Sequence, residues 1–136
     1  MPSKNPLKIQ FTLRDRDILA ALARTPLTAT QLLEMSQTFV EPFTQERLVR
    51  RRLQALTAAG WAATFRYFTT EAGVLNYYKV APAGYRLLNG EDAILPKRSF
   101  FNPVSPSLQQ HTRDLADFIV HTQVHALRFR SQLPPT

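Results

Sequence analysis

Apolar residues in the first 60 positions recur at the three-to-four spacing of amphipathic helices, then switch to alternation, then return to helical spacing. Leu13, Ile18, Leu19, Leu22 and Ala23 share a face of a segment opening at Thr12-Leu13-Arg14-Asp15, a capping box with aspartate in place of the usual glutamate. Pro26 disfavours helix at Thr25, which predicts a first helix over 13–24. A second box, Thr28-Ala29-Thr30-Gln31, leads into Leu32, Leu33 and Met35 as a short second helix. Gln37 to Phe43 contains Glu41-Pro42 and reads as a connection. Thr44 then caps a third helix that runs to Gly60, a natural residue for the position just past a helix end.

From Trp61 to Tyr67 and again from Val74 to Val80 the pattern has the two-residue period of strands, predicting a two-stranded hairpin. Ala81-Pro82-Ala83-Gly84 leads into Tyr85-Arg86-Leu87-Leu88, a short turn or helix closed by Asn89-Gly90. Residues 91–104 carry two prolines, Phe100-Phe101 and Lys97-Arg98, and read as an ordered or partly ordered linker. Ser105-Pro106 starts a long helix to about Arg130. Its stripe is Leu108, His111, Leu115, Phe118, Thr122, His125 and Phe129, widened by Ile119. The expected organisation is a flexible N-terminus (1–10), a folded unit (11–90), the linker (91–104) and a C-terminal helix (105–131).

Helix, short helix, helix, hairpin is the layout of a winged helix-turn-helix, a mainly α domain with a small β-hairpin (α+β), here with a long C-terminal helix. In an ideal third helix, at ~100° per residue, Val49, Leu53 and Leu56 share one face and Arg47, Arg51 and Gln54 point the opposite way, with Arg50 nearby. Arginine bridges guanine O6 and N7, and glutamine bridges adenine N6 and N7, so this face suits a major groove. The expected DNA contacts are Thr44, Gln45, Arg47, Arg50, Arg51 and Gln54 from a recognition helix over 44–59. Arg66, Thr69, Thr70 and Asn76 from a wing over 61–80 are placed on phosphates or an adjacent minor groove. The competing interpretation of Arg50-Arg51-Arg52 is a solvated face. Phe65, Tyr67, Phe68, Tyr77 and Tyr78 suit a core better than a base-stacking platform, as does Trp61.

Composition sharpens the picture. A chain of 136 residues with 44% hydrophobic content is one core's worth, and 17 Lys and Arg against 10 Asp and Glu give a net charge of +7 that favours polyanionic partners. Cysteine is absent, excluding disulfides and thiolate metal sites. The N-terminus lacks the apolar run of a signal peptide and no stretch is long enough to span a bilayer, so a soluble, cytoplasmic protein with no membrane partner is expected. Asp117, His121 and His125, four apart, could bracket a metal but suit a solvated flank better. His111, on the apolar stripe, suits a core or interface position. The four glycines form no phosphate loop and no G-x-S-x-G elbow occurs, so neither cofactor nor enzymatic activity is expected.

The run Leu53-Gln54-Ala55-Leu56-Thr57-Ala58-Ala59-Gly60-Trp61 resembles the L-x-x-L-x-x-x-G-hydrophobic signature ending the recognition helix of MarR-like and PadR-like winged-helix regulators. Tyr78-Lys79-Val80-Ala81-Pro82-Ala83-Gly84 resembles their Y-x-L-T-x-x-G segment, with Val80 for leucine and Ala81 for a threonine able to cap. Arg14-Asp15-Arg16-Asp17-Ile18-Leu19, the triple arginine and His111-x-x-x-Leu115 are similar to the replication-relaxation family of plasmid and mobile-element proteins, over roughly residues 11–120. That resemblance implies the DNA-binding module, not a relaxation or nicking activity.

The expectation is therefore a sequence-specific double-stranded DNA-binding regulator, a repressor. It would act as a homodimer joined through Leu108, Leu115, Phe118, Ile119 and Phe129, with half-sites ~34 to 36 Å apart. The alternative for the last helix is that it folds back over the first. The alternative function is a protein-interaction or DNA-binding accessory module of a replication, mobilisation or defence system, using apolar surface around Phe100, Phe101 and the last helix. A small-molecule effector is compatible with either, and no residue set identifies its site.

Overall fold

Both capping boxes form. In the computed structural model, which describes residues 9–132 and side chains to 130, helix α1 (Leu13–Arg24) starts at Thr12, whose Oγ1 accepts from the Asp15 amide at 3.1 Å while its own amide donates to Asp15 Oδ2 at 2.9 Å. Helix α2 (Ala29–Met35) starts the same way at Thr28, with reciprocal bonds to Gln31 of 3.2 and 2.9 Å. Each cap satisfies amides that the first turn leaves without partners, worth about 1 kcal/mol.

A 3-10 turn (Ser36–Thr38) and an irregular stretch lead to α3 (Glu46–Ala58). Within that stretch Phe43 is buried, and the Arg14 guanidinium lies 4.0 Å from its ring centroid. Helix α3 begins later than expected: Gln45 is the N-cap and makes no side-chain capping bond, so Thr44 does not cap it. Its far end is the predicted glycine closure. Gly60 takes φ +83°, Trp61 N–H donates to the Leu56 carbonyl at 3.0 Å and Gly60 N–H to that of Thr57 at 3.0 Å, a left-handed cap that only glycine adopts without strain.

The hairpin is β2 (Ala62–Phe68) and β3 (Val74–Val80), but the sheet has three strands, not two. The third, β1 (Leu27–Thr28), pairs antiparallel with Tyr78 and Tyr77, giving the order β1-β3-β2. Two residues are too short to leave a period, and the same threonine serves as strand end and helix cap. Helix α4 (Pro82–Asn89) follows, with Gly84 so near the Trp61 carbonyl that a Cβ there would sit 2.1 Å from its oxygen. A 3-10 turn (Arg98–Phe101) sets Phe100 and Phe101 edge-on to Tyr85, each with 6.2 Å between centroids, so the linker packs onto the domain and these phenylalanines are half-buried. A last 3-10 turn (Pro106–Leu108) runs into α5 (Gln109–Gln132).

The core gathers Ile18, Leu19 and Leu22 of α1, Leu32 and Met35 of α2, and Val49, Leu53 and Leu56 of α3 against Leu27, Ala62, Tyr78 and Val80. Each such leucine contributes about 1.5–3 kcal/mol by leaving water. Helix α5 packs on α2 and closes this core with Ala116, Val120 and Val124, while Arg24 of α1 donates to Gln123 at 2.8 Å. The long helix thus folds back, chiefly onto the second helix. Ile9 packs on the core and the Gln10 carbonyl accepts a hydrogen bond from Arg52, while the rest of the expected flexible N-terminus, 1–8, lies outside the described residues. Among the described residues no helix is long and apolar enough to cross a membrane. The architecture is mixed α+β and winged-helix-like, with a long C-terminal helix.

Candidate nucleic-acid interface

Helix α3 divides its side chains as its periodicity dictates. Val49, Leu53 and Leu56 are wholly buried, which turns Arg47, Arg51 and Gln54 outward, and all three are exposed. The three consecutive arginines have three different environments. Arg50, one turn from Glu46, forms an ion pair with it, and Glu46 also accepts from Thr30 of α2. Arg52 lies on the flank facing α1, where Nε donates to Asp15 Oδ1 at 2.7 Å, a second guanidinium nitrogen pairs with Oδ2, and the Gln10 carbonyl accepts at 3.0 Å. Arg51, between them, makes no hydrogen bond or ion pair to any described residue. Among the described residues Arg47 donates only to Gln45, at 3.3 Å, and Thr44 and Gln45 stand exposed at the helix start.

Asp15 is fully buried. Burial by itself would raise its pKa, but the hydrogen bonds from Arg52 and from the Thr12 amide outweigh that and hold the carboxyl below its usual range. The same bond to Asp15 raises the pKa of Arg52. One carboxylate therefore caps α1 and anchors α3, which fixes the recognition candidate against the rest of the domain.

On the hairpin, strand register puts Arg66 opposite Asn76 and Phe68 opposite Val74. These four are exposed and share a face with Tyr78 and Val80, which at the other end of the same strands enter the core. The turn residues have other work. Thr69 donates its amide and hydroxyl to the Gly73 carbonyl at 2.8 and 2.7 Å and accepts from the Ala72 amide, and Thr70 donates to Glu71 at 3.2 Å. An acidic residue thus sits at the tip, and Arg66 and Asn76 are the outward-facing wing candidates.

The hairpin aromatics split between its faces. Tyr78 joins the helical core. Tyr67 and Tyr77 are buried on the other face, stacked with centroids 4.0 Å apart, and Phe65 leans on Tyr77. The Val104 amide donates to the Tyr77 hydroxyl at 2.7 Å, and burial raises the pKa of both tyrosines. The Tyr67 hydroxyl is buried with no hydrogen-bond partner among the described residues. Phe68, at the tip, is exposed rather than core.

No family model matches the chain, and no curated protein or solved structure matches it.

The remaining candidates fall as follows. Leu108, Leu115, Phe118 and Phe129 of α5 face outward, with Phe118 67% exposed, whereas Ile119 packs against the core. His111, Thr122 and His125 are exposed with them. Asp117 accepts a hydrogen bond from Gln31 at 2.8 Å, His121 and His125 stack at 6.1 Å, and no group of three potential ligands forms among the described residues. A cleft of about 420 Å³ opens between α1, the first 3-10 turn and the C-terminal half of α5, lined among others by Arg24, Met35, Phe39, Gln123 and Leu127. Sequence periodicity missed Phe43, Gln109 and Arg113. The last two are polar residues in a polar part of a helical repeat, and only the arrival of the hairpin beside them makes them distinctive.

Proposed function

We propose that the protein is a sequence-specific regulator, a cytoplasmic repressor that binds double-stranded DNA as a homodimer. Helix α3 enters the major groove and the β2–β3 wing lies on the neighbouring backbone. The supporting observation is the division within Arg50-Arg51-Arg52: Arg52 is consumed by Asp15 and Arg50 is steered by Glu46, while Arg51 stands outward beside Arg47 and Gln54 with no structural role. A side chain presented without intramolecular partners keeps its donors for base edges or phosphates. The net charge of +7 adds attraction to any duplex.

The outward α5 residues supply the second copy's surface. Leu108, Leu115, Phe118 and Phe129 are each roughly half to two-thirds exposed. An outward strip of large apolar side chains on one flank of a helix is the kind of surface that pairing with a second copy removes from water. The same apolar surface favours a second reading, a protein-interaction or DNA-binding accessory module within a replication, mobilisation or defence assembly. Phe100 and Phe101, packed on Tyr85, drop out of that surface.

Selection from a randomised duplex library, followed by titration of the enriched site over a salt series, tests both. An inverted repeat with half-sites about one DNA turn apart and a steep salt slope supports the regulator. Absence of enrichment together with salt-insensitive binding favours the interaction module.

A further inference from the structure

Strand β2 is the outer strand of the sheet, so its outward edge has no strand to pair with. A side chain takes that place. Phe68 N–H donates to Gln109 Oε1 at 3.0 Å, and Gln109 Nε2 donates to the Arg66 carbonyl at 3.1 Å. One primary amide thereby supplies the acceptor and the donor that a neighbouring strand would offer, at the two residues flanking Tyr67. One helical turn along α5, Arg113 pairs with Glu71 of the wing turn at 3.0 Å, and its guanidinium lies 5.9 Å from the Tyr67 ring centroid. After another turn, Asp117 accepts from Gln31 Nε2 at 2.8 Å, and the oxygen of that same amide closes the cap of α2.

Residues 109, 113 and 117 are four apart and share one face of α5. They form a polar row joining the wing edge, the wing turn and the second helix in that order. The opposite side of the distal hairpin, with Arg66, Phe68, Val74 and Asn76, is exposed, so the wing is attached on one side, to α5 and to Val104 in the segment before it.

We propose that this row sets the angle of the wing against the helix-turn-helix, making Gln109 and Arg113 positioning residues for duplex binding. The proposal rests on the DNA-binding reading above for its functional half only. With the row intact, Arg66 and Asn76 are held at a fixed angle on the exposed face of the wing. With it broken, the wing swings on the core end of the hairpin and its contacts are made only after an ordering cost.

The test uses the full chain with Gln109→Met, which keeps the side-chain length, and Arg113→Met, which keeps an unbranched apolar stem, singly and together, so that the polar groups are removed. Hydrogen exchange at the Phe68 amide should accelerate about tenfold or more in Gln109→Met, while amides of α1 and α3 keep their protection. Affinity for the selected duplex should fall several-fold, with the salt slope smaller by about one for each wing phosphate contact given up, a change that mere destabilisation does not produce. Arg51→Ala should weaken binding and leave Phe68 exchange at the parent rate. Unaltered Phe68 exchange in the double variant overturns the clasp. Faster exchange with parental affinity and slope overturns the positioning role. A parent chain that binds no duplex refutes the DNA-binding reading, and the exchange data then decide by themselves whether the row holds the wing. If the double variant loses protection throughout, the Gln109→Met variant, which keeps the ion pair, is read instead.

Discussion

Helices α3 and α5 each carry an apolar stripe at helical spacing, yet the domain buries one and leaves the other outside. On α3 the stripe of Val49, Leu53 and Leu56 is the core, and the basic face is offered to solvent. On α5 the larger stripe of Leu108, Leu115, Phe118 and Phe129 is offered, and the core face is the smaller set Ala116, Val120 and Val124. Periodicity locates an apolar stripe but does not say what covers it. A helix that approaches another closely docks through its small residues, and bulky ones then remain for a different partner.

Val120 is the most sensitive position on the buried face of α5. Val120→Asp places an unpaired charge in the core and should cost about 4 kcal/mol in urea or thermal unfolding. Phe118→Asp, half a turn away, should stay within about 0.5 kcal/mol of the parent in the same experiment run at a protein concentration too low for pairing. Equal losses would mean that the two faces of α5 are assigned wrongly.

Adjacent arginines sharpen the same point on α3. Arg52→Ala leaves the buried Asp15 carboxylate without its cation and should cost about 3 kcal/mol. Because Asp15 has a lowered pKa in the folded chain, its contribution is present above the unfolded carboxyl range and fades as pH falls through the lowered value. The stability gap between parent and Arg52→Ala should therefore narrow as the pH is taken below the ordinary carboxyl range, as read by melting temperature. Arg51→Ala should leave the melting temperature unchanged and instead weaken binding of the selected duplex, by about 1–3 kcal/mol if it meets a guanine edge. The smallest change in folding belongs to Phe118→Asp, whose expected signature, on the homodimer proposed above, is in sedimentation: the variant runs as a monomer at concentrations where the parent pairs.

Much of the fold was legible because it is written in local rules. Both capping boxes, the glycine closure at Gly60 and the alternation over 61–67 and 74–80, one residue early for the first strand, involve residues within a few positions of one another. The candidate basic face followed from the same periodicity, through the burial of Val49, Leu53 and Leu56. What stayed hidden was non-local. Leu27–Thr28 becomes a strand only because β3 lies beside it, and Phe43 is core only because the irregular stretch turns it inward. Which arginine of the triplet is spoken for depends on Asp15, 37 positions away.

By itself, then, the order of residues determined the helices, the capping boxes of the first two, the glycine closure of the third, the hairpin and the sign of the surface charge, since these follow from short-range hydrogen bonding, side-chain period and composition. Tertiary structure alone decided which face of α5 is core, which arginine remains unpaired and how Gln109 completes the edge of β2. Those outcomes depend on contacts between segments far apart in the chain, and a chain's local chemistry carries no record of the neighbour that folding will bring to it.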